Sequence, residues 1–445
     1  ISILPVISFF DFSNVHINSM VIPFITFNFV ANNNNYTMRI THIIGFSLTM
    51  ALTACSGKES TPKEMPVVAH IEEVNGEQLT VCQYDLLTDT VDIPLSDLVE
   101  ELQFVKLDNR EEALVGETSA VLSDNYVLFL ADKYAGNMPC KLFRKDGTFI
   151  NKVGSFGQGP GEYVRQIYDA QIDEKHGRIY LLPWITDRIL VYNLKGEYET
   201  FIKLNMRNPG LRVAKGTFHI DADKNLLSVV LLPFNHLSII AWTQDLEGNI
   251  THEVPSGHLK LQPTFDWEVI APKTTDAQSF HICTYNLRKD TLYHFDTEKG
   301  KLLPRFTLDY GEQEIEEHRY YELPNHYYGF AYQKIRKRIA LFQVEFETRY
   351  FLIEKATGKG NYCRIYEDGL YDREVTLYNN ASTWSTSMNG YYHRSIEPLS
   401  LLDEIDEALA KHPEWNKEKR TKLEKLKAAI DEDDNNYLIY GKLKR

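Results

Sequence analysis

Two side chains in one strand-like run are spaced for proton chemistry. His219 and Asp221 alternate along an extended segment, so both project from the same side. An imidazole beside a carboxylate can serve as base and acid, or supply two ligands to a metal ion. No third ligand follows at a spacing that completes a metal set, so no metal is expected and a packed, hydrogen-bonded pair is the preferred reading. Trp184, Asp187 and Arg188 gather at a strand-to-strand connection. There they could hold a polar ligand, although a surface or inter-repeat ion pair explains Asp187 and Arg188 better. The third group is aromatic: residues 310–340 hold Tyr310, Tyr320, Tyr321, Tyr327, Tyr328, Phe330 and Tyr332, with His318 and His326. Such rings stack on sugars or form a protein-contact patch. They also suit the packing of an inserted helix, and that reading leads narrowly. Trp184, Asp187, Arg188, His219, Asp221, Tyr327 and Tyr328 together make up the candidate ligand-binding face.

Other chemistries find less support. Gly157, Gly159 and Gly161 could cradle a phosphate, but neither a Lys-Ser/Thr helix start nor a βαβ unit follows them. The segment runs into a strand, so Gly157, Gly159, Pro160, Gly161, Glu162 and Tyr163 are expected to form a structural loop joining two repeats. Gly-x-Ser-x-Gly, His-Glu-x-x-His, P-loop and EF-hand patterns do not occur in the sequence. No catalytic residue is assigned and no cofactor is expected. The net charge of −14 argues against nucleic acid as a partner, since phosphate contact needs a basic face. The five cysteines include no Cys-x-x-Cys pair, which removes the usual zinc and redox patterns. Cys82, Cys140, Cys283 and Cys363 could pair in an oxidising compartment, but isolated buried thiols are preferred.

What must position these residues is a repeated hairpin. An alternating apolar strand, a polar turn with Gly, and a second strand recur around Gly147, Gly196, Gly248, Gly300 and Gly358. The glycine supplies the positive φ of a tight turn. The intervals are 49, 52, 52 and 58 residues. A second hairpin precedes the early copies, around Gly177 and Asn225, so each period holds about four strands. Units of this kind with a period of roughly 40–50 residues are what propeller blades look like in sequence. One unit cannot bury both faces of its sheet; stacking around a ring can. Residues 93–98 and 102–107 near the start could complete a last blade with residues around 376–396, leaving no free edge. The expected fold is all-β: a six-bladed β-propeller over 88–398. Over 399–445, apolar positions at helical spacing on either side of Pro413 give a small C-terminal helical hairpin, then a final strand.

The amino-terminal part reads as an address. Met38-Arg39 is followed by an apolar stretch from Ile43 to Ala54 and then Cys55-Ser56-Gly57. This resembles the lipobox of bacterial lipoproteins, in which small residues before the cysteine admit the peptidase once the thiol carries its lipid. Residues 38–55 are accordingly expected to be a signal peptide with Cys55 as the lipidation site. Residues 1–37 read as a non-native upstream extension, and 56–87 as a tether. The cysteine is not followed by Asp, so the resemblance to Gram-negative sorting signals implies the outer membrane, with either face open.

The run Gly154-Ser-Phe-Gly157-Gln158-Gly159-Pro160-Gly161-Glu162-Tyr163 resembles a link found in six-bladed β-propeller lipoproteins of Bacteroides-like bacteria, relatives of NHL-repeat propellers. Asp433-Asp434-Asn435 before a short strand is similar to their carboxyl ends, with Asn436-Tyr437 departing from the usual Pro and aliphatic residue. The likeness spans roughly residues 88–445 and implies fold rather than reaction. The expected function is a membrane-tethered binding or scaffold module for a protein, peptide or glycan. The alternative is a lactonase-like or glycan-lyase-like propeller enzyme with an axial acidic and His site.

Overall fold

Alternation sets the strands and glycine sets their turns. In the computed structural model the described residues are 65–445, apart from 117, 132–136, 207–211, 235–236, 263–267, 284–288, 316, 341–342, 370–371 and 378–386. The side chains of 283, 332–347 and 387–388 are likewise outside the description. The signal segment with Cys55, and the extension before it, lie outside the described residues.

The strands form six antiparallel blades. Blade one is Ala120–Leu122, Tyr126–Phe129, Cys140–Arg144 and Phe149–Val153. Blade two is Ile167–Asp173, Arg178–Pro183, Arg188–Asn193 and Tyr198–Lys203. Blade three is Gly216–Asp221, Leu226–Leu231, Ile239–Gln244 and Ile250–Pro255. Blade four is Glu268–Ile270, Ser279–Cys283, Leu292–Asp296 and Lys301–Asp309. Blade five is His318–Glu322, His326–Ala340, Gln343–Glu354 and Gly360–Glu367. Blade six takes Ser387–Met388, Tyr391–Ile396 and Tyr437–Lys442 from the carboxyl end and Gln103–Lys106 from the amino end. The first strands of blades six, one, two, three and four lie beside one another in turn, and the first strand of blade five lies against the second strand of blade four.

Each seam between blades has its own apolar cluster. Leu142 and Val153 meet Ile179 and Leu181 between blades one and two. Tyr180 and Val191 meet Phe218 and Trp242 at the next seam, and Val230 and Ile240 meet Phe280 and Phe295 after it. Phe306 and Leu308 then pack on Tyr327 and Phe351, and Tyr328 and Leu352 on Tyr392. Tyr391 and Leu438 close the ring against Phe129 and Phe143. Each such side chain contributes about 1.5–3 kcal/mol when fully buried, so every blade is stabilised mainly by its neighbours.

The recurring turn glycines gain a second reason from this packing. Gly147 has φ +88°, and a Cβ there would lie 2.1 Å from the Lys106 carbonyl oxygen on blade six's outer strand. Gly196 repeats the contact one blade on, 2.5 Å from the Lys152 oxygen of blade one.

Four expectations are corrected. The stretch read as a tether over 56–87 contains the hairpin Ala69–Val74 and Glu77–Gln83, whose second strand pairs in parallel with Lys301–Asp309 on the outer edge of blade four. Of the two segments expected to close the ring, only Gln103–Lys106 enters blade six; Thr90–Pro94 pairs in parallel with Gly360–Glu367 of blade five. The propeller does not stop at 398. Helices Pro398–Lys411 and Lys417–Ala428 are inserted between two strands of blade six, packed through Leu401, Ile405 and Leu423. The long last interval, from Gly300 to Gly358, holds no inserted helix among its described residues; it is taken up by the 15-residue and 12-residue strands of blade five.

The Asp-Asp-Asn run has a mechanical role at the closure. The Asn435 side chain accepts from the Val115 amide at 3.0 Å and donates to the Asp108 and Ala113 carbonyls at 2.8 and 3.1 Å. Asp434 pairs with Lys106 at 2.6 Å. Both ends of the chain are thereby tied at one seam.

Candidate functional site

In an antiparallel blade the first turn and third turn lie at one end, and the second turn at the other. The first turns of blades one, two, three, four and six surround an axial mouth of about 680 Å3, joined by the carboxyl-terminal residues Lys442 to Arg445. His219 and Asp221 both line it, with Asp223 from the same turn, Asp173 and His176 from blade two and Lys273 from blade four.

Cross-blade bonds fix the rim. Tyr391 donates to Asp124 at 3.0 Å across the closing seam. Asn125 donates to Glu174 at 2.7 Å, and the His176 Nε2 lies 3.3 Å from an Asp223 carboxylate oxygen. The Gln171 side chain bonds both the amide and the carbonyl of Ile220, at 3.0 and 2.8 Å. Below the rim, buried Asp169 of blade two accepts from Thr217 Oγ1 at 2.8 Å, the Phe218 amide at 2.9 Å and Lys273 Nζ at 2.8 Å. One carboxylate thus ties three blades together. Lys273 has φ +54°, a left-handed conformation that a side chain adopts at some cost.

Three rim carboxylates are held ionised. Burial opposes it, but the backbone and ammonium of Lys224 hold Asp221 below the usual carboxylate range. Lys175 lowers Asp223 through a hydrogen bond. Glu174 stays low despite its burial, because Ser123 and Asn125 donate to it. Burial, reinforced by the Lys273 charge, holds His219 below the ordinary imidazole value. The mouth therefore presents anionic carboxylates, an ammonium and a neutral imidazole at neutral pH.

The candidate face is not one surface. Trp184, Asp187 and Arg188 sit at the second turn of blade two, at the end opposite His219 and Asp221. There the Arg165 guanidinium covers the Trp184 ring at 4.9 Å, and Asp187 pairs with its neighbour Arg188 at 2.8 Å. Tyr327 and Tyr328 are interblade core: Tyr327 stacks on Phe306 at 4.5 Å and Tyr328 on Tyr350 at 5.7 Å. The Gly-Pro-Gly-Glu-Tyr segment links blades one and two. Tyr163 Oη accepts from the Cys140 amide at 2.8 Å and donates to the Val153 carbonyl at 3.2 Å, while Tyr192 donates to the Gly161 carbonyl at 2.7 Å. Glu162 bonds within the loop, accepting from the Gly159 amide at 2.7 Å. A side chain at Gly157 would collide with that carboxylate. Cys82, Cys140 and Cys363 are free and buried, and burial pushes the Cys82 and Cys140 thiols up to about 12.

Asp169 and Lys273 carry no mark in the sequence. Their partners lie about one blade or two away, and neither stands in a motif.

The architecture defines the class: a six-bladed β-propeller closed by strands from both ends of the chain. Residues 81–442 match the family described as Domain of unknown function (DUF4934), and the chain belongs to that family. A crystal structure from Bacteroides fragilis, of a protein described as exported, superposes with a TM-score of 0.51 at 17% identity, covering 80% of this chain and 98% of that one. A DUF4221 family member from Bacteroides vulgatus gives a TM-score of 0.36 at 11% identity, covering 78% and 97%. The WD40 domain of Toxoplasma gondii coronin gives 0.32 at 10%, covering 68% and 72%. Comparison with curated proteins finds no match. Among the described residues no helix is long and apolar enough to cross a membrane.

Proposed function

We propose that this protein is an exported propeller, anchored by lipid on Cys55, that binds a polar ligand in the axial mouth. The observation that carries the reading is the mouth itself: about 680 Å3, walled by turns that bond to one another from blade to blade. That volume lies within the ~300–1,000 Å3 range of small-ligand sites. Its rim carries both signs of charge, with Asp173, Asp221 and Asp276 near Lys273, Lys442 and Arg445. Such a rim suits a peptide segment better than a neutral glycan.

A binding role fits the mouth better than catalysis by a general acid. General acid work needs a carboxyl held protonated near neutral pH, whereas Glu174, Asp221 and Asp223 are all shifted the other way. Export accords with the lipobox-like run at Cys55 and with the description carried by the Bacteroides fragilis structure.

The test is a panel of charged peptides and envelope oligosaccharides offered to the wild type, to a His219→Ala, Asp221→Asn double variant, and to Arg188→Ala. Ligand retained by wild type and Arg188→Ala but lost by the double variant is the expected result. Equal binding by all three would reject the axial site. Labelling with a fatty-acid analogue, lost in Cys55→Ser, tests the anchor separately.

A further inference from the structure

Away from the axial mouth, blades four and five enclose three metal-ligating side chains. His281 stands on the second strand of blade four, Asp290 just before its third strand, and His318 at the start of blade five's inner strand. All three are buried, and one potential ligand atom from each lies within 4.8 Å of the other two. Tyr320 packs on both imidazoles, with ring centroids 4.6 and 4.9 Å away, so the rings are held in place from one side. Asp290 also borders a cleft of about 120 Å3 lined by His258 and Lys289.

We propose that His281, Asp290 and His318 bind a divalent transition-metal ion, zinc by preference, which clamps blade four to blade five. Two neutral imidazoles and one carboxylate are a donor set that zinc accepts, and three protein ligands leave a fourth position for water. Ligands about 2.0 Å from a tetrahedral ion stand about 3.3 Å apart. The three groups therefore need to close by about 1.5 Å at most, within reach of small side-chain rotations. The imidazole preference excludes magnesium and calcium, which favour all-oxygen sites. The cleft beside Asp290 gives the ion a way in. The ligands span two blades and a long stretch of sequence, so no spacing motif announces them.

The experiment uses the purified full chain, stripped with a chelator and returned to zinc, nickel or cobalt separately, with metal content read by elemental analysis. Wild type should take up one zinc per chain, melt at a higher temperature with zinc than without it, and show the visible bands of tetrahedral cobalt(II). His281→Gln and Asp290→Asn should each weaken uptake at least ~10-fold. Should either variant fold poorly, the wild-type melting shift and cobalt spectrum still decide the matter. A wild type that retains none of the three ions and melts alike with and without them overturns the proposal. Undiminished uptake in a folded Asp290→Asn does so too.

Discussion

Acid should loosen the seam where the two ends of the chain meet, and His393 should be responsible for a defined part of the loss. This residue stands on the second strand of blade six and is buried. Its Nε2 accepts from the Ala120 amide of blade one at 3.4 Å. A proton on Nε2 would face that amide N–H. Burial accordingly pulls the imidazole from 6.5 down to about 4. The sign follows: between these values the unfolded chain takes up a proton that the folded chain refuses, so stability is full above 6.5 and falls as pH drops to about 4. A gap of about 2.5 in pKa, at about 1.4 kcal/mol for each, amounts to about 3 kcal/mol. His393→Gln keeps an acceptor for Ala120 and removes the titration. Urea unfolding of both proteins should be followed from about pH 7.5 to 4, taking the difference in free energy at each pH, since other titrating groups cancel in that difference. Wild type should lose about 3 kcal/mol relative to the variant as pH falls. A difference that stays flat, or moves in favour of wild type, refutes a neutral buried imidazole at the closing seam.

Other consequences are as direct. Gly147→Ala places a Cβ against the Lys106 carbonyl at positive φ, and should cost at least about 1–2 kcal/mol by thermal or urea unfolding. A cost near zero would mean that the turn does not press on blade six. Asp169→Ala strands Lys273 and the donors from blade three; breaking one side of a buried pair should lower stability by about 3–5 kcal/mol. Cys82, Cys140 and Cys363 should resist alkylation at about pH 8 in the native protein and react once it is denatured, as read by peptide mass spectrometry. Fast native labelling of any of them would contradict their burial.

The ring was legible because its signals are local. Hairpin glycines such as Gly147 and Gly196 answer two demands at once, a positive φ and the close approach of the preceding blade, so they recur at nearly constant intervals. The Ala69–Val74 hairpin leaves little trace in the sequence because it lies on an outer edge with His70, Ile71, Glu72 and Glu73 all exposed, which erases the alternation that marks a half-buried strand. Tyr327 and Tyr328 looked like a ligand patch because composition does not say which way a strand faces; both turn into the seams. His219 and Asp221 were visible as an alternating pair, but what surrounds them was not. Lys273 reaches them from the next blade, across a distance in sequence that only ring geometry closes. Trp184, Asp187 and Arg188 stand apart from them because successive turns of a blade point to opposite ends.

The proposed function requires a ligand in the axial mouth between the first turns of the blades. A crystal structure of the protein grown with the tightest-binding peptide or glycan from the panel tests it most directly. Density is expected on the axis in contact with His219, Asp221 and Lys273, with the rim bonds unbroken. Density at the Trp184 end, or on the outer edge of a blade, would contradict it.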